Sequence, residues 1–546
     1  MNSVTRNGGQ ILISCLAANG TDLIYGLPGE SALPIFDALI EDAPRFITCR
    51  HEANACHMAE ADGKMTGRPG ICIVSRGPGA MHAAIGVHTA WQNSTPLILI
   101  IGQVPGSHLG REAFQEMDFK SLFASTTKWA CEIQGAAQIP EYVSRAFHIA
   151  TEGRPGPVVI SIPEDVLSEE SDVVDCVPFA KSRCVPAEDS IQELCMLLAA
   201  AERPLLVVGG GGWATDTCIR FREFVEAHSL PVVAGFRAQD IIDNRSPSYV
   251  GDMSLGGSRK LVARMQQADL LLVIGERLGD VTTRGYTAIS MDRRQQKLVH
   301  VFPGAEELGR VYPTSISIRA LADDFVTALL GHPLKTGNWL QWHQQCRAEF
   351  LDHHMRWPQI NDGVDLAQVI KTMRDILPSD AIVTNGAGNC NIWLHRFFSY
   401  HERGTQIASQ AGAMGYGLSA AIAAKIRHPN RLVVGFAGDG CFHMASPDFA
   451  TAVHHKVPLV VIIANNATYG SIRMHQERHF PGRPSGTALT NPNYAIFAQA
   501  HGCFGEVVYK TSEFGEIFRR ALAQGGPSLI ELQISPDQLT PDMKLR

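Results

Sequence analysis

The chain has 546 residues, of which 45% are hydrophobic, 18% charged and 7% aromatic, with 50 glycines and 30 prolines spread along its length. Such a composition can bury several cores and excludes a disordered or collagen-like polymer. The net charge of −7, from 47 basic and 54 acidic residues with no long basic block, argues against a nucleic-acid or anionic-membrane partner.

The first residues, MNSVTRNGGQILISCLAANG, lack the charged-then-apolar layout of a signal peptide, and no apolar run is long enough to span a bilayer. The 13 cysteines are odd in number and show no close pairing of the zinc or redox kind. They read as small core residues in a reducing compartment, so a cytoplasmic location with no membrane partner is expected.

Short apolar runs between turn signals recur along the chain, at 70–75, 97–101, 158–162, 205–208, 270–274, 432–436 and 459–463. Continuous Val, Ile and Leu without alternation predicts strands buried on both faces, hence an α/β protein with parallel sheets covered by helices. Residues 165–190 are polar and carry prolines, and 331–360 form a second break. The expected architecture is three doubly wound parallel-sheet domains, over 1–170, 187–335 and 360–546.

The densest chemistry lies in the last of these. The run RLVVGFAGDG ends in Gly438-Asp439-Gly440, and PLVVIIANN ends in Asn465-Asn466, with 24 residues between Gly440 and Asn465. Two buried strands then each deliver an oxygen ligand at a carboxyl end, where open α/β sheets bind ligands. Asp439, the Asn466 amide and a backbone carbonyl just beyond, at Thr468, would give Mg²⁺ three hard oxygens, with phosphate oxygens and water completing an octahedron. Free N–H groups at Tyr469, Gly470 and Ser471 would cradle phosphate at a helix start.

This pairing of GDG with NN resembles the thiamine diphosphate signature of the acetolactate synthase and pyruvate oxidase superfamily, and the likeness covers nearly the whole chain. It implies a pyrimidine-binding, a central and a diphosphate-binding domain. In RHEANA, Glu52 falls on the family's activating glutamate, which hydrogen-bonds N1′ of the aminopyrimidine and promotes loss of the thiazolium C2 proton. The GPGA turn after it adds Pro78 as a cofactor contact. SQAGAMGYG resembles the segment that bends the cofactor, with the Gly412 carbonyl, the Met414 backbone and the Met414 side chain against it. Gly388 and Asn389 in TNGAGNCN, together with Gly438, Gly440 and Cys441, are matched to the diphosphate site. The 384–393 stretch departs from the synthases' glutamine and histidine there.

On the substrate side, GREAFQEMDF places Gln115 on the family's glutamine beside the thiazolium. The decarboxylases' His-His pair is absent from this loop. His82 and His88 stand open between a catalytic and a structural role. Arg473, His475, Gln476 and Arg478 share one expected helix, either setting substrate choice or forming a solvated face. In IYGLPGESALPIF, Glu30 takes the place of the synthases' second glycine. It is either a solvated turn residue or a carboxylate facing the reaction, as charge or as proton carrier.

In the central segment, Gly209, Gly211 and Ala214 spell G-x-G-x-x-A, but Gly235 stands where a nicotinamide site needs an acid, which argues against a nicotinamide oxidoreductase. The resemblance offers FAD instead. Segments 275–280 and 299–307 match flavin-binding relatives only in part, so a chain without stoichiometric FAD is expected. The reaction implied is thiamine diphosphate- and Mg²⁺-dependent cleavage or formation of a C–C bond next to a carbonyl, by decarboxylation of a 2-oxo acid and carboligation. A 2-hydroxyacyl lyase, or a decarboxylase without ligation, is the alternative. A silent regulatory subunit should have lost Glu52 or the metal ligands. Because the family's site lies between subunits, a homodimer at the least is implied, with a homotetramer as the expected form.

Overall fold

A computed structural model describes residues 5–40, 44–292, 294–335 and 337–545. The chain divides into two compact units. The first comprises Met1–Ser182, Ser409–His428 and His443–Val457, and the second Arg183–Ala408, Pro429–Phe442 and Pro458–Arg546.

In the first unit, six strands form one sheet: Leu23–Gly26 (β1), Arg45–Thr48 (β2), Gly70–Ser75 (β3), Leu97–Gln103 (β4), Trp129–Glu132 (β5) and Pro157–Pro163 (β6). Their order is β2-β1-β3-β4-β6-β5, and every pair is parallel. The second unit holds two more sheets. The central one contains Pro204–Val208 (β7), Val232–Ala234 (β8), Tyr249–Asp252 (β9), Leu270–Ile274 (β10), Lys297–Phe302 (β11) and Ile316–Arg319 (β12), ordered β9-β8-β7-β10-β11-β12. The last contains Ile382–Asn385 (β13), Gln406–Ala408 (β14), Val433–Gly438 (β15), Val460–Asn465 (β16), Phe504–Val508 (β17) and Ser528–Gln533 (β18), ordered β14-β13-β15-β16-β18-β17. The first and last sheets thus repeat one topology, with no repeat legible in the sequence.

The predicted apolar runs became β3, β4, β6, β7, β10, β15 and β16. Their two-sided burial is visible in β7 and β10, where Leu206, Val208, Leu272 and Ile274 enter one core and Leu205, Val207, Leu271 and Val273 another. The short or half-exposed strands β2, β5, β8 and β14 carry too little apolar pattern to be read.

Two segments expected in the 360–546 domain pack with the first unit. Helix Glu52–Thr66 (α1) receives helix Tyr416–Arg427 (α3) through polar contacts. The Tyr416 hydroxyl donates to buried Glu60 at 2.6 Å, Ser419 to Asn54 at 3.3 Å, and Arg427 reaches both oxygens of Asp62 at 2.6 and 2.8 Å. From the second segment, Asp448 accepts from the Arg50 N–H and from Asn54. Among the described residues no helix is long and apolar enough to cross a membrane.

The central sheet has the strand order of dinucleotide-binding folds, but its switch point is occupied by the chain itself. Glu276, just past β10, lies so close that a Cβ at Gly209 or Gly235 would stand 2.1 or 2.2 Å from its Oε2. Thr282 donates to Oε1 at 3.2 Å, while Oε2 has no hydrogen-bond partner among the described residues. Burial pushes this carboxyl up from its ordinary 4.5 to about 7. The folded state therefore holds the proton more tightly than the unfolded chain. Stability from this group is full below about pH 4.5 and is lost as pH rises through 7, by up to about 3 kcal/mol. Glu276→Gln is expected to be more stable than wild type at pH 8 in urea unfolding, with the gap closing at about pH 4.5. A gap independent of pH would remove this group from the account.

Candidate functional site

Four of the predicted positions follow the carboxyl ends of adjacent strands in the first sheet. After β1, a Cβ at Gly29 would stand 2.3 Å from the Ser75 Cβ, so only glycine lets this turn seat against the end of β3, and Ser31 bonds Ser75 there at 2.9 Å. Glu30 opens the short 3₁₀ turn Glu30–Ala32 with its side chain exposed. Among the described residues of this unit none covers it. After β2, His51 caps α1, its Nδ1 accepting from the Ala53 N–H at 3.1 Å, and Glu52 is the first helical residue, where the helix dipole favours a negative charge.

Helix Arg76–Asn93 (α2) follows β3 and places Pro78 on its exposed side. The loop after β4 carries Gln115, whose carbonyl accepts from the Gly77 N–H at 3.0 Å while its side chain is exposed. The Gln115 backbone is held at φ +67, in a loop whose Glu116 carboxylate accepts the Gly110 and Ala113 N–H groups. His82, on α2, lies with its Nδ1 2.8 Å from Glu52 Oε2. His88 is exposed on the same helix.

The second constellation belongs to the last sheet, at three strands adjacent in its order, β13, β15 and β16. Asp439 heads helix Asp439–Ala445 (α4) directly after β15 and is only 3% exposed. Asn491 donates to its Oδ2 at 2.7 Å, and burial pushes its carboxyl above the ordinary range. Among the described residues no cationic side chain pairs with it. A buried carboxylate in that condition calls for a cation, so the donor set suits a hard metal ion.

Past β16, Asn465 is structural: its Nδ2 donates to buried Glu531 at 2.7 Å, and its Oδ1 accepts from Ala467 and Asn491. Asn466 instead turns toward the loop, its Oδ1 accepting from the Thr468 N–H at 3.2 Å. The Ala467 carbonyl is engaged by the Leu489 N–H at 2.8 Å, which makes Thr468 the residue whose carbonyl the candidate metal set calls on. A Cβ at Gly470 would stand 3.1 Å from Asn466 Nδ2 and 3.9 Å from Asn389 Nδ2, and one at Gly440 would stand 2.6 Å from the Tyr469 ring. Asn389, beside Gly388 at φ +108, donates to the Gly470 carbonyl at 3.1 Å. Cys441 is buried within α4, and the Cβ position of Gly438 lies 3.6 Å from Cys390 Sγ.

Helix Gly470–His479 (α5) begins at this point, so the N–H groups of Gly470 and Ser471 lack intrahelical partners. The Tyr469 N–H, expected to be free, donates to the Thr487 carbonyl at 2.9 Å, because the chain pairs briefly at Thr468 and Ala488. The phosphate cradle therefore reduces to Gly470 and Ser471. On the same helix Arg473 is paired with Glu477 at 2.7 Å and Gln476 with Ser485, so neither is an uncommitted group for substrate. Gly412 and Gly415, at φ +64 and +85, flank a half-buried Met414 in the first unit. Asn491 and Glu531 were missed, since a lone Asn in TNPNY and a Glu within an apolar strand carry no local signal.

Three family descriptions match this chain. They are the N-terminal TPP binding domain of thiamine pyrophosphate enzymes over residues 6–122, their central domain over 191–329 and their C-terminal TPP binding domain over 386–532. The acetolactate synthase isozyme 2 large subunit of Escherichia coli (strain K12) is 28% identical over 97% of this chain and 95% of its own length. A probable acetolactate synthase large subunit of Methanocaldococcus jannaschii is 30% identical, over 98% and 93%. The mitochondrial acetolactate synthase catalytic subunit of Saccharomyces cerevisiae is 27% identical, over 96% and 80%. With all three domains matched in order, the chain belongs to the thiamine pyrophosphate enzymes and is an acetolactate synthase large subunit-like member of them.

Proposed function

We propose that this enzyme uses thiamine diphosphate and Mg²⁺ to decarboxylate a 2-oxo acid and join the remaining acyl unit to a second carbonyl compound. The observation that carries the reading is Asp439, buried at the end of β15 with no cationic side chain paired to it among the described residues, beside a loop that supplies Asn466, Thr468 and two helix-start N–H groups. Asp439, the Asn466 amide and the Thr468 carbonyl would hold the metal, and Gly470 and Ser471 the diphosphate, joined by Gly388, Asn389, Gly438, Gly440 and Cys441. Bound thiamine diphosphate supplies a nucleophilic carbon and an electron sink for bonds next to a carbonyl. The Glu52 carboxylate would exchange a proton with the aminopyrimidine nitrogen, with Pro78, Gly412 and Met414 shaping the pyrimidine's surroundings. Gln115 and Glu30 face the substrate. Carbon dioxide release from a 2-oxo acid that requires both cofactor and metal is the expected result; cleavage of a 2-hydroxyacyl compound in its place would favour the lyase reading.

A second copy of the chain fits this picture. The outer face of α2 exposes Met81 and Ile85, and Phe114 stands 77% exposed beside Gln115, an apolar surface suited to burial between subunits. We read the active form as a homodimer at least and a homotetramer in full. Most of the cysteines are buried as small core residues, and we read the enzyme as cytoplasmic. Stoichiometric FAD is not part of the proposal. The Glu276 carboxylate rests against Gly209 and Gly235, where a dinucleotide's phosphates would lie, so these residues do not fit the group. The purified protein is expected to show no flavin absorbance, and one flavin per chain would overturn this.

Glu30 separates this chain from a synthase that condenses two pyruvates. Once a partner subunit covers the carboxyl edge of the first sheet, its charge would meet the pyruvate carboxylate at low effective dielectric. Acetolactate formation by wild type is therefore expected to be weak, and Glu30→Gly to raise it about tenfold in a steady-state assay while impairing the native reaction. Equal output from the two proteins would free Glu30 from any such role.

A further inference from the structure

Glu52 is half engaged before any ligand arrives. Its Oε2 lies 2.8 Å from Nδ1 of His82. Its Oε1 is the other carboxylate oxygen, 3.7 Å from where a Cβ at Gly79 would stand in the first turn of α2. An ionised carboxylate only accepts, so the hydrogen of this bond belongs to the imidazole.

The His82 ring is itself held in place. The ring of His51 stacks on it, with centroids 4.6 Å apart and planes 30° from parallel. His51 in turn is anchored as the cap of α1 through the Ala53 N–H. The side chain of Glu52 is 19% exposed and that of His82 55%, so the carboxylate is the more sheltered of the two. The start of α1 thus supplies the carboxylate, the second turn of α2 supplies a donor for it, and a stacked pair of rings fixes the donor's angle.

We propose that His82 is a positioning residue for Glu52: its Nδ1–H holds the carboxylate by Oε2, so that Oε1 alone is presented to the cofactor's ring nitrogen. The inference rests on the reading of Glu52 as the activating glutamate. A carboxylate held in advance loses less rotational freedom when the cofactor binds and keeps the orientation that proton exchange requires. His88, one turn beyond Ile85 on the exposed side of α2, has no such partner role in this arrangement.

The test compares His82→Ala, His82→Asn and Glu52→Gln in the full-length protein with Mg²⁺. Two quantities are read: thiamine diphosphate affinity by calorimetry on the apoprotein, and hydrogen–deuterium exchange at the thiazolium C2 without substrate. His82→Ala is expected to weaken binding about two- to tenfold and to slow exchange about tenfold. An asparagine amide can put a neutral donor where Nδ1 stood, so His82→Asn should recover both to within about threefold of wild type. A purely structural role on α2 gives the opposite order, because alanine is the better helix former. If His82→Ala matches wild type in both readouts, or His82→Asn is as impaired as His82→Ala, while Glu52→Gln exchanges slowly, the positioning role is wrong and the Glu52 reading stands. If Glu52→Gln exchanges at the wild-type rate, the reading beneath it fails as well.

Discussion

Glu52→Gln is expected to fold, to bind thiamine diphosphate with Mg²⁺, and to slow exchange of the thiazolium C2 proton about 10²–10⁴-fold, the span ordinarily lost with a general acid–base group. The side chain keeps its length and an oxygen able to accept from His82, so the contact at 2.8 Å survives the change. What disappears is a group that can take and return a proton at Oε1. Loss of one charge at the start of α1 should cost only about 0.3–1 kcal/mol, because the dipole contribution at a helix end is small. Stability and turnover therefore separate in this variant. Exchange at the wild-type rate, followed by NMR after acid quench, would sink the assignment.

Asp439→Ala acts on a different link. Removing the buried carboxylate takes away one of the hard ligands proposed for the metal and the negative charge that would offset it. It also removes a group that burial already disfavours as an anion, so the fold should lose little and can gain. Calorimetry is expected to show Mg²⁺-dependent binding of thiamine diphosphate weakened at least about 100-fold, with unfolding almost unchanged. Undiminished cofactor affinity would place the metal elsewhere.

The parts of this enzyme legible in its sequence are those governed by local rules. Uninterrupted apolar runs such as 270–274 announce strands buried on both faces, and a Gly-Asp-Gly at the end of one such strand with Asn-Asn at the end of the next announces two oxygen-bearing side chains on one sheet edge. What stayed hidden depends on distance along the chain. His82 was noticed, but its partner lies 30 positions away on another helix. Asn491, which orients Asp439, comes from a loop 52 positions on. The Tyr469 N–H looked free because its acceptor, Thr487, belongs to a pairing with no sequence pattern. Helix α3 joins the first unit through Tyr416–Glu60 and Arg427–Asp62, contacts spanning more than 350 residues between groups that look unremarkable alone. Glu276 shows the same limit from the other side. Segment 275–280 shows in sequence only a charged residue after β10, and the fold alone reveals that its carboxyl packs against Gly209 and Gly235.

The proposed reaction is a carbon–carbon bond change at a 2-oxo acid carried out with thiamine diphosphate and Mg²⁺. The most direct measurement incubates the protein with both and with a panel of carbon-13-labelled 2-oxo acids and aldehyde acceptors, following labelled carbon dioxide and products by mass spectrometry. The account predicts carbon dioxide release together with a ligated hydroxy-ketone product from at least one donor, lost when cofactor, metal or Glu52 is removed. Saturated binding of thiamine diphosphate with no turnover of any 2-oxo acid, or turnover that persists without cofactor, would contradict it.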